Sequence, residues 1–182
     1  SRSACGSSSG SGAAMSLRLA SLAVGTETNG SIICPASING VVGFKPTVGL
    51  LSRTHIVPIS FSQDTAGPMT SNVQDAWLMT AIMAGPDASD NATLDAESHR
   101  PAMPTSSMLA TDLKGKRIGV VRYRQGDNPH VLAVYESALK QLKASGATLV
   151  DISDFSQPDS FWADSYNVLL SEFHHSVNEY LS

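Results

Sequence analysis

The fold is decided by two neighbouring stretches, GSSSGSGAA at residues 6–14 and GTETNGSIICPASINGVVGFKPT at residues 25–47. The first has the Ser/Gly composition of a flexible linker. It leads directly into apolar and small residues over 13–22, which predict a helix. The second stretch lies in a segment, residues 23–51, where short apolar runs alternate with Gly and Pro. This alternation predicts closely spaced short strands and turns. Because the Ser/Gly run leads directly into the predicted helix, we expect it to be part of an ordered structure.

The composition favours a compact domain or part of a larger one. A chain of 182 residues with 42% hydrophobic content can bury a sizeable core. The net charge of −4 and the scattered Lys and Arg argue against a nucleic-acid partner. Polar residues interrupt every apolar stretch, so we predict no membrane span. The chain opens with neither Met nor a signal segment, and we therefore expect flanking parts of the same polypeptide to be missing.

The two cysteines, Cys5 and Cys34, are the basis for a compartment prediction. They do not form a CxxC pair and are too few for a disulfide scaffold. A reducing compartment is the default, so we expect the protein to be cytoplasmic.

Downstream of the two stretches, the pattern predicts an α/β arrangement. The residues 86–112 lack periodicity and predict a surface connection. Hydrophobic periodicity predicts a helix over 72–84, a strand in 116–123, a helix over 129–144, a strand in 147–152 and a final helix over 159–180. Ser71 or Asn72 would cap the first of these helices. Strand, helix and strand form a βαβ unit, so a parallel or mixed sheet is expected.

Ser31 has the surroundings of a catalytic nucleophile. It follows the turn-forming residues 28–30, whose NH groups could converge on one point. Amide hydrolysis needs such donors, because each stabilises the negative oxygen of the tetrahedral intermediate by about 3 kcal/mol. A serine also needs a base, which is His, neutral Lys, or a second hydroxyl that relays to Lys. The pattern places no recognisable triad around the histidines at positions 55, 99, 130, 174 and 175.

With a third motif, FSQDTAGPM at residues 61–69, the chain resembles the amidase signature family, and peptide amidases within it most closely. The resemblance implies the amidase signature fold, a mixed β-sheet core covered by helices. It implies that residues 1–182 are the central part of a single amidase domain. Residues 1–85 would be the signature core, 86–112 the surface connection, and 113–182 the βαβ unit with the C-terminal helix.

The resemblance also implies roles for individual residues. Members of the family use a Ser-Ser-Lys triad in which the relaying serine follows a cis peptide bond. Ser31 matches the nucleophile that forms the acyl-enzyme, and Ser7 matches the serine that relays protons. The oxyanion hole would be formed by the NH groups of Thr28, Asn29, Gly30 and Ser31. Supporting positions would be Gly6, Ser8 and Asp64.

The family's catalytic lysine lies upstream of the sequence present here. Lys45 matches a structural turn of the family and not the triad. A chain consisting of these residues alone would therefore be inactive, and the alternative is a catalytically incomplete subunit or binding module. The resemblance implies neither a cofactor nor a metal. The adjacent His174 and His175 point about 100° apart on a helix, so they cannot chelate one ion together.

The residues leave the substrate open. Ile33 stands where many family members carry Arg, which makes a carboxylate beside the scissile amide a poorer substrate group. Peptide C-terminal amides come first by overall similarity, with other small-molecule amides, such as fatty acid and aryl amides, and an amidotransferase-like role as alternatives. The run 6–10 also satisfies GxSxG with Ser8 at its centre, but that motif requires a preceding strand.

Overall fold

The computed structural model describes residues 3–105, 112–154 and 156–182. In chain order its main elements are α1 (Ser9–Ser16), β1 (Ala23–Glu27), α2 (Ile33–Asn39), β2 (Val42–Gly43), β3 (Thr65–Thr70), α3 (Val73–Met83), β4 (Arg117–Val121), α4 (Pro129–Ala144), β5 (Thr148–Ile152) and α5 (Phe161–Leu181). Contacts divide the chain into two compact units. The first comprises residues 1–105 and 162–182, and the second comprises residues 106–161.

The first unit is built around an antiparallel sheet with the strand order β1-β3-β2. Every residue of the central strand β3 is buried. A Cβ at Gly67 of this strand would lie 2.2 Å from the carbonyl oxygen of Phe44, so glycine is required there. The register pairs Glu27 with Thr65. The end of β1 therefore lies beside the residue that precedes β3, Asp64.

Helix α1 begins and ends earlier than the predicted helix over 13–22. It lies largely inside the Ser/Gly run, and Leu17 and Leu19 beyond its end are 69% and 75% exposed. The cause is close packing. A Cβ at Gly12 would lie 3.0 Å from Asn39 Nδ2 and 3.2 Å from the Pro35 carbonyl oxygen, so a larger residue would force the two helices apart. The helix forms at this position because its small residues allow close packing, and not because it carries an apolar stripe.

Helix α2 was not predicted, because the segment 23–51 was expected to contain only strands and turns. Its burial stabilises it: Ile32 and Ala36 pack with Met15 and Met69 in one buried cluster. The helix ends at Gly40, whose φ of 68° is left-handed. Tertiary packing here outweighs the strand-like appearance of the sequence.

The second unit agrees with the sequence prediction. Strands β4 and β5 pair in parallel, with Arg117 opposite Thr148, and α4 connects them. The sheet of the first unit is antiparallel and that of the second is parallel, and helices accompany both, so the predicted α/β class is confirmed. Helix α3 was also predicted correctly, and its N-cap is Asn72, whose side chain accepts a hydrogen bond from the NH of Asp75. Within the described parts of the chain, no helix is long and apolar enough to cross a membrane.

The predicted surface connection over 86–112 is partly packed. Asp90 is 7% exposed and forms an ion pair of 2.6 Å with Arg53, and Thr93 is fully buried. Residues 106–111 of this predicted connection lie outside the described residues. By their contacts, residues 162–181 of α5 fall in the first unit, although the predicted boundaries group this helix with the βαβ unit. The contacts of α5 with this unit include hydrogen bonds that Glu172 accepts from residues 60 and 62 and an edge-to-face contact between His175 and Phe61.

Cys5 and Cys34 form a disulfide, with Cα atoms 5.9 Å apart. This bond was not predicted, because two cysteines are too few for a disulfide scaffold. The bond joins the loop before α1 to α2, across a sequence separation of 29 residues. The expected reducing compartment rested on unpaired cysteines, so this structure does not support it, and a cytoplasmic location stays a prediction.

Replacing both cysteines by serine is expected to destabilise the protein by about 2–4 kcal/mol, because the unfolded chain would lose a cross-link. The measurement is urea unfolding of the oxidised protein and of the Cys5→Ser/Cys34→Ser variant. Dithiothreitol should lower the urea midpoint of the parent protein and leave that of the double variant unchanged. Equal midpoints for the oxidised parent and the double variant would contradict the assigned disulfide.

Candidate active site

Ser8 connects the two loops that carry the predicted catalytic serines. Its hydroxyl donates to the carbonyl oxygen of Thr26 at 3.1 Å and accepts from the NH of Thr26 at 3.0 Å. Its own NH donates to the carbonyl oxygen of Ser31 at 3.2 Å. The peptide bond that precedes Ser7, between Gly6 and Ser7, is cis, as the resemblance implies. The chain position next to Ser7 is thus hydrogen-bonded to Ser31 itself.

The two serines differ from Ser8 in exposure. Ser7 is exposed and Ser31 is half-buried, whereas Ser8 is buried. No strand precedes Ser8 among the described residues 3–7. The GxSxG arrangement of a nucleophile elbow is therefore not formed, and the hydroxyl of Ser8 is occupied by the backbone of β1.

The turn before Ser31 presents main-chain NH groups that are not bonded to any of the described residues. Gly30 has a φ of 90°, a left-handed conformation that reverses the chain ahead of α2. In the part of the chain that the structure describes, the NH groups of residues 28–31 donate no hydrogen bond. Donors of this kind next to a serine are one requirement of an oxyanion site, and the oxyanion hole stays a prediction here.

Glu27 binds the residues that follow this turn. Its Oε2 accepts hydrogen bonds from the NH groups of Ile32 at 2.7 Å and Ile33 at 3.0 Å, and the residue is only 4% exposed. A carboxylate at this end of α2 also matches the favoured position for negative charge at a helix N-terminus. Glu27 was not among the site residues predicted from the sequence. Its position four residues before Ser31 is the sequence signal that could have identified Glu27 as part of the site.

Asp64 binds the first residue of the turn, Thr28. One oxygen of its buried carboxylate, Oδ1, accepts from the hydroxyl of Thr28 at 2.5 Å. The other, Oδ2, accepts from the NH groups of Ile59 and Ser60 at 2.7 and 2.8 Å. The carboxylate therefore links the turn to the loop before β3.

Arg53 is a cation in the electrostatic surroundings of Asp64. The pKa of Arg53 is raised above its ordinary value, mainly by the hydrogen bond to Asp90 and to a smaller degree by the charge of Asp64. Arg53 is held in place because its NH, Nε and Nη2 groups all donate to the Asp90 carboxylate. Arg53 therefore contributes a fixed positive charge to the surroundings of the Asp64 carboxylate.

Other candidate groups lie away from these contacts. Lys45 is exposed, and its Nζ donates to the carbonyl oxygen of Pro46 at 2.8 Å, within the turn that the resemblance assigned to it. His174 and His175 are exposed on α5. Among the described residues, no cluster of His, Cys, Asp and Glu is suited to hold a metal ion.

Comparison with known proteins identifies the family. The Amidase family model matches residues 1–182. The chain belongs to the amidase family. It is 46% identical over 151 residues to one glutamyl-tRNA(Gln) amidotransferase subunit from Ruegeria sp. (strain TM1040), a match that covers 81% of the chain and 30% of that protein. It is 44% identical over 153 residues to a putative amidase from Arthroderma benhamiae, a match that covers 82% of the chain and 26% of that protein.

Solved amidase structures share the fold. The native peptide amidase from Stenotrophomonas maltophilia superimposes with a TM-score of 0.81 at 44% identity, over 98% of this chain and 36% of that one. The amidase signature fold predicted from the sequence is therefore confirmed. The chain spans about a third or less of the length of these relatives.

Glu27→Gln is expected to destabilise the amidase fold by about 1–3 kcal/mol, because the buried amide NH₂ would lack an acceptor and the charge-assisted bonds to α2 would weaken. Thermal unfolding measures this effect. Glu97→Gln is the matched control, since Glu97 is 64% exposed in an ion pair with Arg100. If both variants unfold at the same temperature, the proposed support of the turn by Glu27 is wrong.

Proposed function

We propose that the polypeptide containing this chain hydrolyses carbon–nitrogen amide bonds through an acyl-enzyme formed on Ser31. The observation that carries this proposal is the hydrogen bond between the NH of Ser8 and the carbonyl oxygen of Ser31, 3.2 Å long. It brings the loop that contains Ser7 against the predicted nucleophile, beside a turn with free NH groups. Family membership and the solved peptide amidase support the same reaction class.

In the proposed mechanism Ser31 Oγ attacks the amide carbonyl carbon. Its proton passes to Ser7 Oγ as Ser7 gives its own proton to a neutral lysine, which lies upstream in the family and outside this chain. The electron pair of the carbonyl π bond moves onto the oxygen. The NH groups of residues 28–31 stabilise the negative charge that this oxygen then carries. The proton returns along the same path to the leaving nitrogen as the C–N bond breaks. Water then attacks the acyl-enzyme, releases the carboxylic acid and regenerates Ser31.

The supports of the turn suit this chemistry. Asp64 binds the hydroxyl of Thr28 in the turn, and Glu27 binds two NH groups at the start of α2. Neither carboxylate accepts a hydrogen bond from the NH groups of residues 28–31. Their hydrogen bonds keep the donors fixed before the negative charge develops. Preorganisation of this kind is the largest contribution to many acyl-transfer reactions.

For the substrate we propose peptide C-terminal amides. The similarity to the Stenotrophomonas maltophilia peptide amidase supports this choice. Ile33, two residues after the nucleophile, is 51% exposed and apolar. It offers no cation to a substrate carboxylate, which agrees with an amidated chain end.

Fluorophosphonate labelling of the full-length polypeptide tests the proposed nucleophile. Ser31→Ala should abolish labelling and amide hydrolysis, because it removes the attacking hydroxyl. Ser7→Ala should lower both rates by at least about 100-fold, the range of general acid–base contributions. Release of ammonia from a peptide amide is the second measurement.

Ser37→Ala provides the control, since Ser37 is an exposed serine of α2 outside the site. It should label and hydrolyse as the parent does. Labelling at a residue other than Ser31, or no labelling of a folded full-length protein, would refute the proposal and favour a non-catalytic binding role.

A further inference from the structure

Glu172 of helix α5 is bonded to the loop that carries Asp64. Its Oε2 accepts hydrogen bonds from Ser60 Oγ at 2.5 Å, from Ser62 Oγ at 2.8 Å and from Ser62 NH at 3.1 Å. Ser60 lies 112 residues away along the chain and is fully buried. Three donors on one carboxylate oxygen make this the polar attachment of α5 to the loop.

Ser60 connects this attachment to the candidate active site. Its hydroxyl donates to Glu172, while its NH donates to Asp64 Oδ2 at 2.8 Å. The other carboxylate oxygen of Asp64 binds the hydroxyl of Thr28 in the oxyanion turn. A continuous series of hydrogen bonds therefore runs from α5 to the turn.

Loss of the Glu172 charge would disturb this series at Ser60. A glutamine oxygen is neutral and therefore a weaker acceptor than the carboxylate, so the three bonds to it would weaken, and the Ser60 side chain would reorient or the loop would shift. The NH of Ser60 belongs to the same residue and would move with it. The position of Asp64, and through it Thr28, depends on that NH.

We infer that Glu172 is a positioning residue for the oxyanion turn, acting through Ser60 and Asp64. The inference rests on the proposed function, since it assigns Glu172 to the reaction of Ser31. Glu172 does not contact the turn itself. Its replacement should therefore affect the stabilisation of the transition state while leaving the binding of substrate unchanged.

The variant to test is Glu172→Gln in the full-length polypeptide. The expected result is a decrease of about tenfold in kcat and in the rate of fluorophosphonate labelling of Ser31, within the usual range of coupling between sites, with KM unchanged. Rates are expressed per folded molecule, counted by the cooperative unfolding amplitude. Glu179→Gln is the matched control, because Glu179 lies on the same helix and is 78% exposed.

The double variant Glu172→Gln/Asp64→Asn separates coupling from simple destabilisation. If Glu172 acts through Asp64, the two effects on kcat are less than multiplicative. Fully multiplicative effects, or a kcat per folded molecule equal to that of the parent in Glu172→Gln, would overturn the inference.

Hydrogen exchange provides a measurement that does not depend on activity. Glu172→Gln should accelerate exchange of the NH groups of Ile59 and Ser60, which both donate to Asp64, whereas Glu179→Gln should not. Unchanged exchange at Ile59 and Ser60 would refute the link from Glu172 to Asp64. Failure of the parent protein to label at Ser31 would refute the proposed function, and the exchange result alone would then decide the structural link.

Discussion

The site depends on the contact that Ser8 makes between two loops. Its hydroxyl bonds to both backbone groups of Thr26, and its NH bonds to the carbonyl oxygen of Ser31. Each such bond contributes about 1 kcal/mol, but removal of a buried partner costs about 1–3 kcal/mol for every group left unsatisfied. One small residue therefore sets the distance between the loop of Ser7 and the turn of Ser31. The disulfide, Glu27 and Asp64 then hold the surrounding chain in that arrangement.

Elements with strong local signals could be predicted from the sequence. Helix α4 and strands β4 and β5 follow apolar periodicity, and α3 begins at a capping Asn72. The first unit was harder to predict because its signals are tertiary. Helix α1 depends on the close approach of Gly12 to Pro35, and α2 on the burial of Ile32 and Ala36. Neither contact is visible in a local pattern.

The candidate site shows the same division. Ser7, Ser31 and the turn before Ser31 could be selected from residue types and from the family resemblance. The contacts of Glu27 and Glu172 could not, because each side chain binds groups whose positions are known only after folding. The pairing of Cys5 with Cys34 was missed for a related reason. Two cysteines at this separation become neighbours only when α1 and α2 pack together.

A crystal structure of the full-length polypeptide after reaction with a fluorophosphonate is the most direct measurement of the central claim. We expect phosphorus bonded to Ser31 Oγ, with a phosphoryl oxygen about 2.7–3.1 Å from NH groups of residues 28–31. We also expect the Ser7 hydroxyl within hydrogen-bond distance of Ser31 Oγ. Phosphorus on another side chain, or a Ser7 hydroxyl directed away from Ser31, would contradict the claim.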